Sequence, residues 1–415
     1  MKKKEIVIVV LLIFFGFIYN AVQKNKIKFI DDFSGYLNER RLISAHYAEF
    51  PQKGMVFPAP DKIAIENPAG EIIIDRSADG QVHLMTSFRV YYADKADVQK
   101  ISRNARFHAG IENKTLAVSG DYASAFPYKR LRIRFELAVP EGVMLSVLNH
   151  EGRISIRRCG KDIFVNQENG NVFLEDIPSS AQIEIRGGNL DVKNIVGNVT
   201  IDARQGDIFL ENAAALQLKG RHGNYVLNKI TSTVYVEHAY GDVSLDGAGQ
   251  AKIFGRHSKL TVRNIENGLI LSNAFEGIFI ENIKGDVQLE GRSSKIEISH
   301  VHANGIVIEN SFADTAVTGS TGETLNIKIK NGNLDLQGTT IAERLNIEAQ
   351  QTNINLDLGA LADPAFIIKT IGGRIFNHSS IALDIFQERD ECYANRSGQK
   401  PEIIINDRYG DIDIK

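Results

Sequence analysis

From residue 152 onward the chain carries a short apolar beat that returns about every eighteen residues. It reads GRISI at 152–156, GNVFL at 170–174, GNLDV at 188–192, GDIFL at 206–210, GNYVL at 223–227, GDVSL at 241–245 and GDVQL at 285–289. Most copies follow the Gly with a small polar residue, then set two β-forming residues on either side of one outward position. A fixed period of this length predicts a stacked solenoid, in which each turn buries its face against its neighbours.

Aligned on the beat, three inward columns appear. The first contains Ile154, Val172, Leu190, Ile208, Tyr225, Val243, Leu260, Ile278 and Ile296, in steps of 17 or 18 residues. The second sits about nine residues later: Ile163, Ala181, Val199, Leu216, Val234, Ala251, Leu269, Val287 and Ile306. Each member of both has an apolar residue two positions on, the period of a strand with one buried face. The third lies at the corner between them: Cys159, Ile177, Ile195, Ala213, Ile230, Ala248, Ile265, Ile283 and Val301. A helix is excluded, because an apolar pair at i and i+2 followed by Gly builds no 3.6-residue stripe. Beside the Ile corner run Asn194, Asn212, Asn264 and Asn282. Stacked amides there can bond one another, and Asn tolerates a left-handed backbone.

The predicted fold is therefore all-β. Residues 151–415 form a parallel β-solenoid (β-helix) of ~18-residue, two-strand rungs. Roughly thirteen to fifteen rungs would make a rod on the order of 65 Å long. Beyond residue 310 the beat lengthens (Val317, Leu334, Ile354, Ile375), an insertion at about 384–401 interrupts it, and PEIIINDRYGDIDIK restores two strands. Residues 59–150 read as an N-terminal β-rich cap with one short helix. Strands are expected at 63–66, 71–75, 82–92, 116–119 and 131–139, and the helix at 95–103. An uncovered first rung would invite end-to-end pairing, which such a cap prevents.

The N-terminus opens MKKKE and continues with an apolar run over 6–19 that extends weakly to Val22. This length suits a short membrane segment or a signal h-region. Tyr19 stands where a cleavage site before Ala21 needs a small residue, so residues 1–22 read as an uncleaved signal-anchor and 23–58 as a stalk. The expected address is the cytoplasmic membrane, single-pass, with the bulk of the chain extracytoplasmic. Lys2–Lys4 are answered by Lys24, Lys26 and Lys28, so the charge rule weakly favours this orientation. Net charge is −3 and no basic stripe with interleaved aromatics occurs, which argues against a nucleic-acid partner. Cys159 falls in the apolar corner column and Cys392 in the insertion, so no disulfide is expected.

The order of segments has a recognisable likeness. IAIENPAGEIIID, a long strand, a short charged helix, LRIRFELAVPEGVMLSVLNHEGRISI, the Gly-Asp/Asn repeats and a closing GDIDI together resemble the bacterial putative-adhesin family, a domain of unknown function. VPEGVMLSVLNHEGRISI carries most of the match, which covers about residues 60–415. The resemblance implies an extracytoplasmic β-solenoid tethered by one membrane segment; it implies an address and a shape more than an activity.

At the corner opposite the Ile column stand Arg186, Arg204, Arg221, Ala239, Arg256, Ala274 and Arg292. The next column holds Gly187, Gln205, His222, Tyr240, His257, Phe275, Ser293 and Phe312. Guanidinium groups beside planar rings can hold an anionic polymer, pairing its charges while the rings stack on sugars. Arg204, Arg221, His222, Tyr240, Arg256, His257, Phe275 and Arg292 are thus the candidate anionic-polymer or glycan edge. The plainer reading is a solvated turn whose Arg side chains pair with nearby Glu. Outward Phe173, Phe209, Val226 and Phe279 on the first face are either a partner surface or scattered exposure.

No cofactor or metal is expected: single Asp residues after Gly lack the repeat of a calcium β-roll, and the His residues lack paired spacing. The outward acids Asp191, Glu297 and Asp335 are spread over many rungs, and no nucleophile elbow or phosphate loop occurs. The expected function is a non-catalytic, membrane-tethered binding or structural module of the cell envelope, with an envelope polysaccharide, another anionic polymer or a protein as partner. The rival readings are a carbohydrate-active β-helix enzyme and a polymerising envelope scaffold.

Overall fold

The computed structural model describes residues 46–92, 95–103, 105–122, 131–357, 361 and 363–415. The anchor expected at 1–22 lies outside them, and among the described residues no helix is long and apolar enough to cross a membrane.

The period-two pairs on each rung become parallel strands stacked in register. Val172 lies opposite Ile154 and Leu190, and Leu190 opposite Ile208, so like side chains sit on like. On the second face Ala181 pairs with Ile163 and Val199 in the same way. All members of the three predicted columns are buried. Burying each side chain against its neighbours one rung away contributes roughly 1.5–3 kcal/mol for a Val, Leu or Ile, which a lone rung could not obtain.

Two corners return the chain between the faces. At the first, behind the apolar column, Asn194, Asn212, Asn264 and Asn282 have φ of 55°, 60°, 56° and 58°. The second carries the predicted Arg and ring columns. Before it reaches the rings, its turns are closed by Gly152, Gly170, Gly188 and Gly206, with φ of 127°, 130°, 112° and 121°. A Cβ on any of them would collide with the carbonyl of the glycine one rung earlier, so only Gly lets successive turns stack this closely.

The ends do not follow chain order. The N-terminal rung formed by Lys62–Asn67 and Gly70–Arg76 lies between residues 144–157 on one side and the outer strands Thr115–Tyr122 and Leu131–Val139 on the other. At the far end, Glu402–Arg408 and Ile412–Ile414 slot between Thr340–Asp357 and the outer strands Ala365–Ile371 and Ile375–Asn377. At each end the first or last rung in sequence is therefore not the outermost in space.

Antiparallel strands then cover the outer rungs. Val82–Tyr91 pairs with Leu131–Val139, Ala105–Glu112 with Thr115–Tyr122, and Glu391–Arg396 with Ala365–Ile371. The helix Lys95–Ser102 places Ile101 against Val90 and Leu131. Two readings of the sequence need correction. Residues 47–57, assigned to the stalk, form the edge strand Tyr47–Phe57 paired with Val82–Tyr91. Its alternation is broken because the register shifts between Phe50 and Lys53, around Pro51, as an edge strand tolerates. The strand Ala105–Glu112 was missed because its pattern ARFHAGIE alternates only partly exposed residues.

Of the outward side chains on the first face, Phe173 lies under Arg153 at 4.4 Å, Phe209 under Lys193 at 5.2 Å and Phe279 under Lys259 at 5.2 Å. These rings are half-buried, so they are covered by cations of the chain itself. Cys159 and Cys392 are free and buried; burial pushes the Cys159 thiol up to about 12, making it inert as a nucleophile.

Candidate functional site

The second corner begins inside the rod. The last inward position of each second-face strand forms a column of Asn67, Asn149, Gln167, Ile185, Ala203, Gly220, His238, Gly255, Asn273, Gly291 and Asn310. Gln167, Asn273 and Asn310 in this column each hold turn carbonyls of two rungs at once. Asn273 Nδ2 donates to Ser258 O at 2.7 Å and Glu276 O at 3.0 Å, and Asn310 Nδ2 to Ser294 O at 3.0 Å and Ala313 O at 3.1 Å. One Asn thus serves its own turn and the preceding one. Asn67, Asn149 and Gln167 occupy successive rungs, whereas from Gly220 to Asn310 a large polar side chain falls on alternate rungs. The intervening glycines make room for it: a Cβ on Gly255 or Gly291 would strike Oδ1 of Asn273 or Asn310, and one on Gly220 would strike the Tyr225 ring.

His238 is the exception in chemistry. Its ring lies 4.3 Å from that of Tyr225, and neither ring nitrogen has a hydrogen-bond partner of normal geometry, although the Gly220 and Gly223 backbone is close by. Desolvation is the largest influence and lowers its pKa to about 4, so the imidazole is neutral. The Tyr225 hydroxyl is likewise buried without a partner, and burial raises its pKa.

One residue further on, the side chains turn outward. Glu168 takes the first positions: it pairs with His150 at 3.0 Å and Arg186 at 3.1 Å. These contacts hold its carboxyl below the usual range, with the His150 hydrogen bond the largest cause. The next four arginines are exposed. Among the described residues, Arg204, Arg221, Arg256 and Arg292 have no carboxylate within ion-pairing distance, although Asp202, Glu237 and Glu290 lie on the adjoining face. Glu237 is engaged by Lys219 at 3.7 Å and by the Tyr235 hydroxyl. The expectation that Glu side chains pair with the column holds for Arg186 and stops there.

The ring column stacks on itself. Centroids are 5.0 Å apart for His222–Tyr240, 5.1 Å for Tyr240–His257 and 4.6 Å for His257–Phe275, with interplanar angles of 10°, 6° and 9°. These are rung spacings, so the rod sets the stack. All four residues are left-handed, with φ of 53°, 66°, 53° and 81°. For Tyr and Phe that conformation costs roughly 1–2 kcal/mol each, a local strain of the kind that gathers at functional sites. Sugar stacking on this column is the part of the sequence reading that the geometry revises. Both faces of Tyr240 and His257 are taken by neighbouring rings, leaving ring edges to the solvent. What the edge offers a ligand is hydrogen-bond donors and positive charge.

All eight candidate residues thus fall on one straight edge, and Arg186, Arg204, Arg221, His222 and Arg256 line a groove of about 920 Å³ along it. A second groove of about 740 Å³ follows the first corner, past Val196, Ala214 and Gly249. Its polar rim is internally satisfied: Asn194 Nδ2 donates to Asp176 at 2.8 Å, Asn212 to Asn194 at 2.8 Å and Asn264 to Asp246 at 2.6 Å. Lys229 pairs with Glu211 at 2.7 Å. The carboxylates Asp191, Glu297 and Asp335 are engaged by Lys193, Lys295 and Gln337 on separate rungs. Among the described residues, no group of three or more His, Cys, Asp or Glu is placed to hold a metal ion.

Residues 256–415 match the family model Toastrack DUF4097. The resemblance read from the sequence therefore holds over this part of the rod, which begins at the Arg256–His257 rung. Among solved structures the chain is similar to a putative cell adhesion protein from Clostridium sporogenes, at 10% identity, covering 88% of this chain and 99% of that one with a TM-score of 0.15. It is also similar to a putative adhesin from Parabacteroides distasonis (10% identity, 75% and 98% covered, TM-score 0.19) and to one from Bacteroides fragilis (10%, 90% and 98%, TM-score 0.16). No curated protein matches.

Proposed function

We propose that this chain is a non-catalytic, adhesin-like binding module of the cell envelope, held at the cytoplasmic membrane by residues 1–22 and displaying its rod outside. The edge from Arg204 to Arg292 would be its binding surface for an extended anionic polymer. The observation that carries this reading is a row of exposed guanidinium groups without carboxylate partners, on a rod that elsewhere pairs several of its exposed cations with carboxylates one rung away. Arg157–Glu175, Lys229–Glu211, Arg263–Glu281 and Lys284–Glu266 are such pairs. A rigid edge lets several weak contacts act on one ligand, each raising the effective concentration for the next. The spread of outward carboxylates over separate rungs favours binding over hydrolysis, since glycoside cleavage needs two carboxyl groups about one sugar linkage.

The test is the triple variant R221Q/R256Q/R292Q in the full chain. Its melting temperature should match wild type, because the three side chains are exposed. Its binding to anionic envelope polymers should be lost, and wild-type binding should weaken as salt rises. Equal binding by the two proteins, or none by wild type at any salt, would make the edge a solvated turn. The address is checked separately: the chain should stay in the membrane fraction with its rod open to protease outside the inner membrane. A soluble mature form beginning near Val22 would refute the anchor.

A further inference from the structure

Over residues 220–312 the second corner repeats every two rungs; before that stretch Arg186, Arg204 and Arg221 stand on successive rungs. Its triplets read GRH at 220–222, HAY at 238–240, GRH at 255–257, NAF at 273–275, GRS at 291–293 and NSF at 310–312. Inside the rod, Gly alternates with His or Asn; outside, Arg alternates with Ala or Ser. The two alternations are locked in phase. Asn273 and Asn310 each bind turn carbonyls of two rungs, and Gly255 and Gly291 vacate the space their amides fill. The core thereby enforces a two-rung period, and the exposed charges follow it.

We propose that this edge is a charge ruler for linear acidic polysaccharides carrying one carboxylate per disaccharide. The inference rests on the binding edge proposed above and specifies its ligand. Arg221, Arg256 and Arg292 are in register, each two rungs from the next, with Ala239 and Ala274 on the rungs between them. Two rungs make about 10 Å, close to the advance of one disaccharide along an extended β-linked chain. At physiological salt the screening length is about 8 Å, so each guanidinium acts as a separate point. A carboxylate at every disaccharide meets an Arg each time. A polymer with a charge on every short unit, such as polyphosphate, places its intervening anions over Ala239 and Ala274, where no guanidinium meets them and, on the Ala239 rung, the Glu237 carboxylate stands two residues away. Both faces of Tyr240 and His257 are already covered by neighbouring rings, so along the middle of the edge selection runs through charge spacing and ring-edge donors.

Hyaluronan fragments and inorganic polyphosphate of matched contour length are the probes, measured against the full chain in about 0.15 M salt. Filling the gaps with A239R/A274R should raise polyphosphate affinity roughly tenfold more than hyaluronan affinity, because each added charge finds a partner only on the denser polymer. Opening a gap with R256A needs no added volume, so it tests the spacing even if the double variant folds poorly. It should weaken hyaluronan roughly tenfold and polyphosphate several-fold less, because the denser polymer can shift to keep its other contacts. If both variants change the two polymers by the same factor, the ruler is wrong and the anionic edge stands. If wild type binds neither polymer, or R221Q/R256Q/R292Q binds both as wild type does, the edge itself falls and the ruler with it.

Discussion

The two corners of the rod solve the same turning problem with opposite chemistry. Behind the first lies an unbroken apolar column, from Cys159 through Ile195 to Val301, and in front of it amides bond to amides one rung away. Behind the second lies a polar column in which Asn67 Oδ1, Asn149 Oδ1, Asn273 Oδ1 and both His238 nitrogens have no partner. In front of it stand arginines without carboxylates and rings in a strained backbone. Buried polar atoms left unpaired cost about 1–3 kcal/mol each, so the second corner is the less stable way to turn. A rod needing only rigidity could repeat the first corner's device at both. The difference separates a corner whose polar groups bond one another from one whose guanidinium groups and ring edges are left to the solvent.

The largest contrast comes from the interior of the first corner. Ile195→Asp puts a carboxylate into an apolar column with no partner and should cost several kcal/mol. Asn198→Asp, three residues on and exposed, should cost little. Chemical denaturation of both separates them, and equal stability would break the assignment of this corner as the stabilising one.

A smaller effect, specific to the second corner, comes from His238. Folding holds its pKa at about 4, below the ordinary value near 6.5, so the unfolded chain binds a proton that the folded one refuses. Its contribution is therefore intact above about pH 6.5, is lost as pH falls toward 4, and amounts to at most about 3 kcal/mol. His238→Asn, copying the rungs of Asn273 and Asn310, should remove that slope. Denaturation at pH 7 and pH 5 should bring variant and wild type closer at the higher pH and favour the variant at the lower. Identical pH slopes would show that His238 is hydrated in the fold. The smallest effect on folding belongs to R221Q/R256Q/R292Q, within about 0.5 kcal/mol of wild type, although its effect on binding should be the greatest.

The rungs were legible in the sequence because a parallel stack repeats its burial pattern at fixed spacing. Ile154, Val172 and Leu190 could be aligned without knowing the fold. The Arg and ring columns followed from the same alignment. That the rings face each other did not, since a one-dimensional register cannot tell which way a ring plane lies. The two-rung period was present as GRH, HAY, GRH and NAF, but an eighteen-residue frame treats alternate rungs as equivalent and hides it. The order of rungs at the ends was beyond such a frame as well. Ile403 fits a rung equally well beside Leu345 or Phe366, and it pairs with both.

That double pairing gives the rod a mechanical character. Tension drawn along Glu402–Arg408 and Ile412–Ile414 meets hydrogen-bonded ladders on both flanks. Those bonds run across the pull, so they are loaded together in shear instead of being unzipped singly from a free margin. The strands Lys62–Asn67 and Gly70–Arg76 are gripped in the same manner at the opposite end. The edge strand Tyr47–Phe57, by contrast, is held on one flank alone, by Val82–Tyr91, so under load it would part before the clamped rungs did.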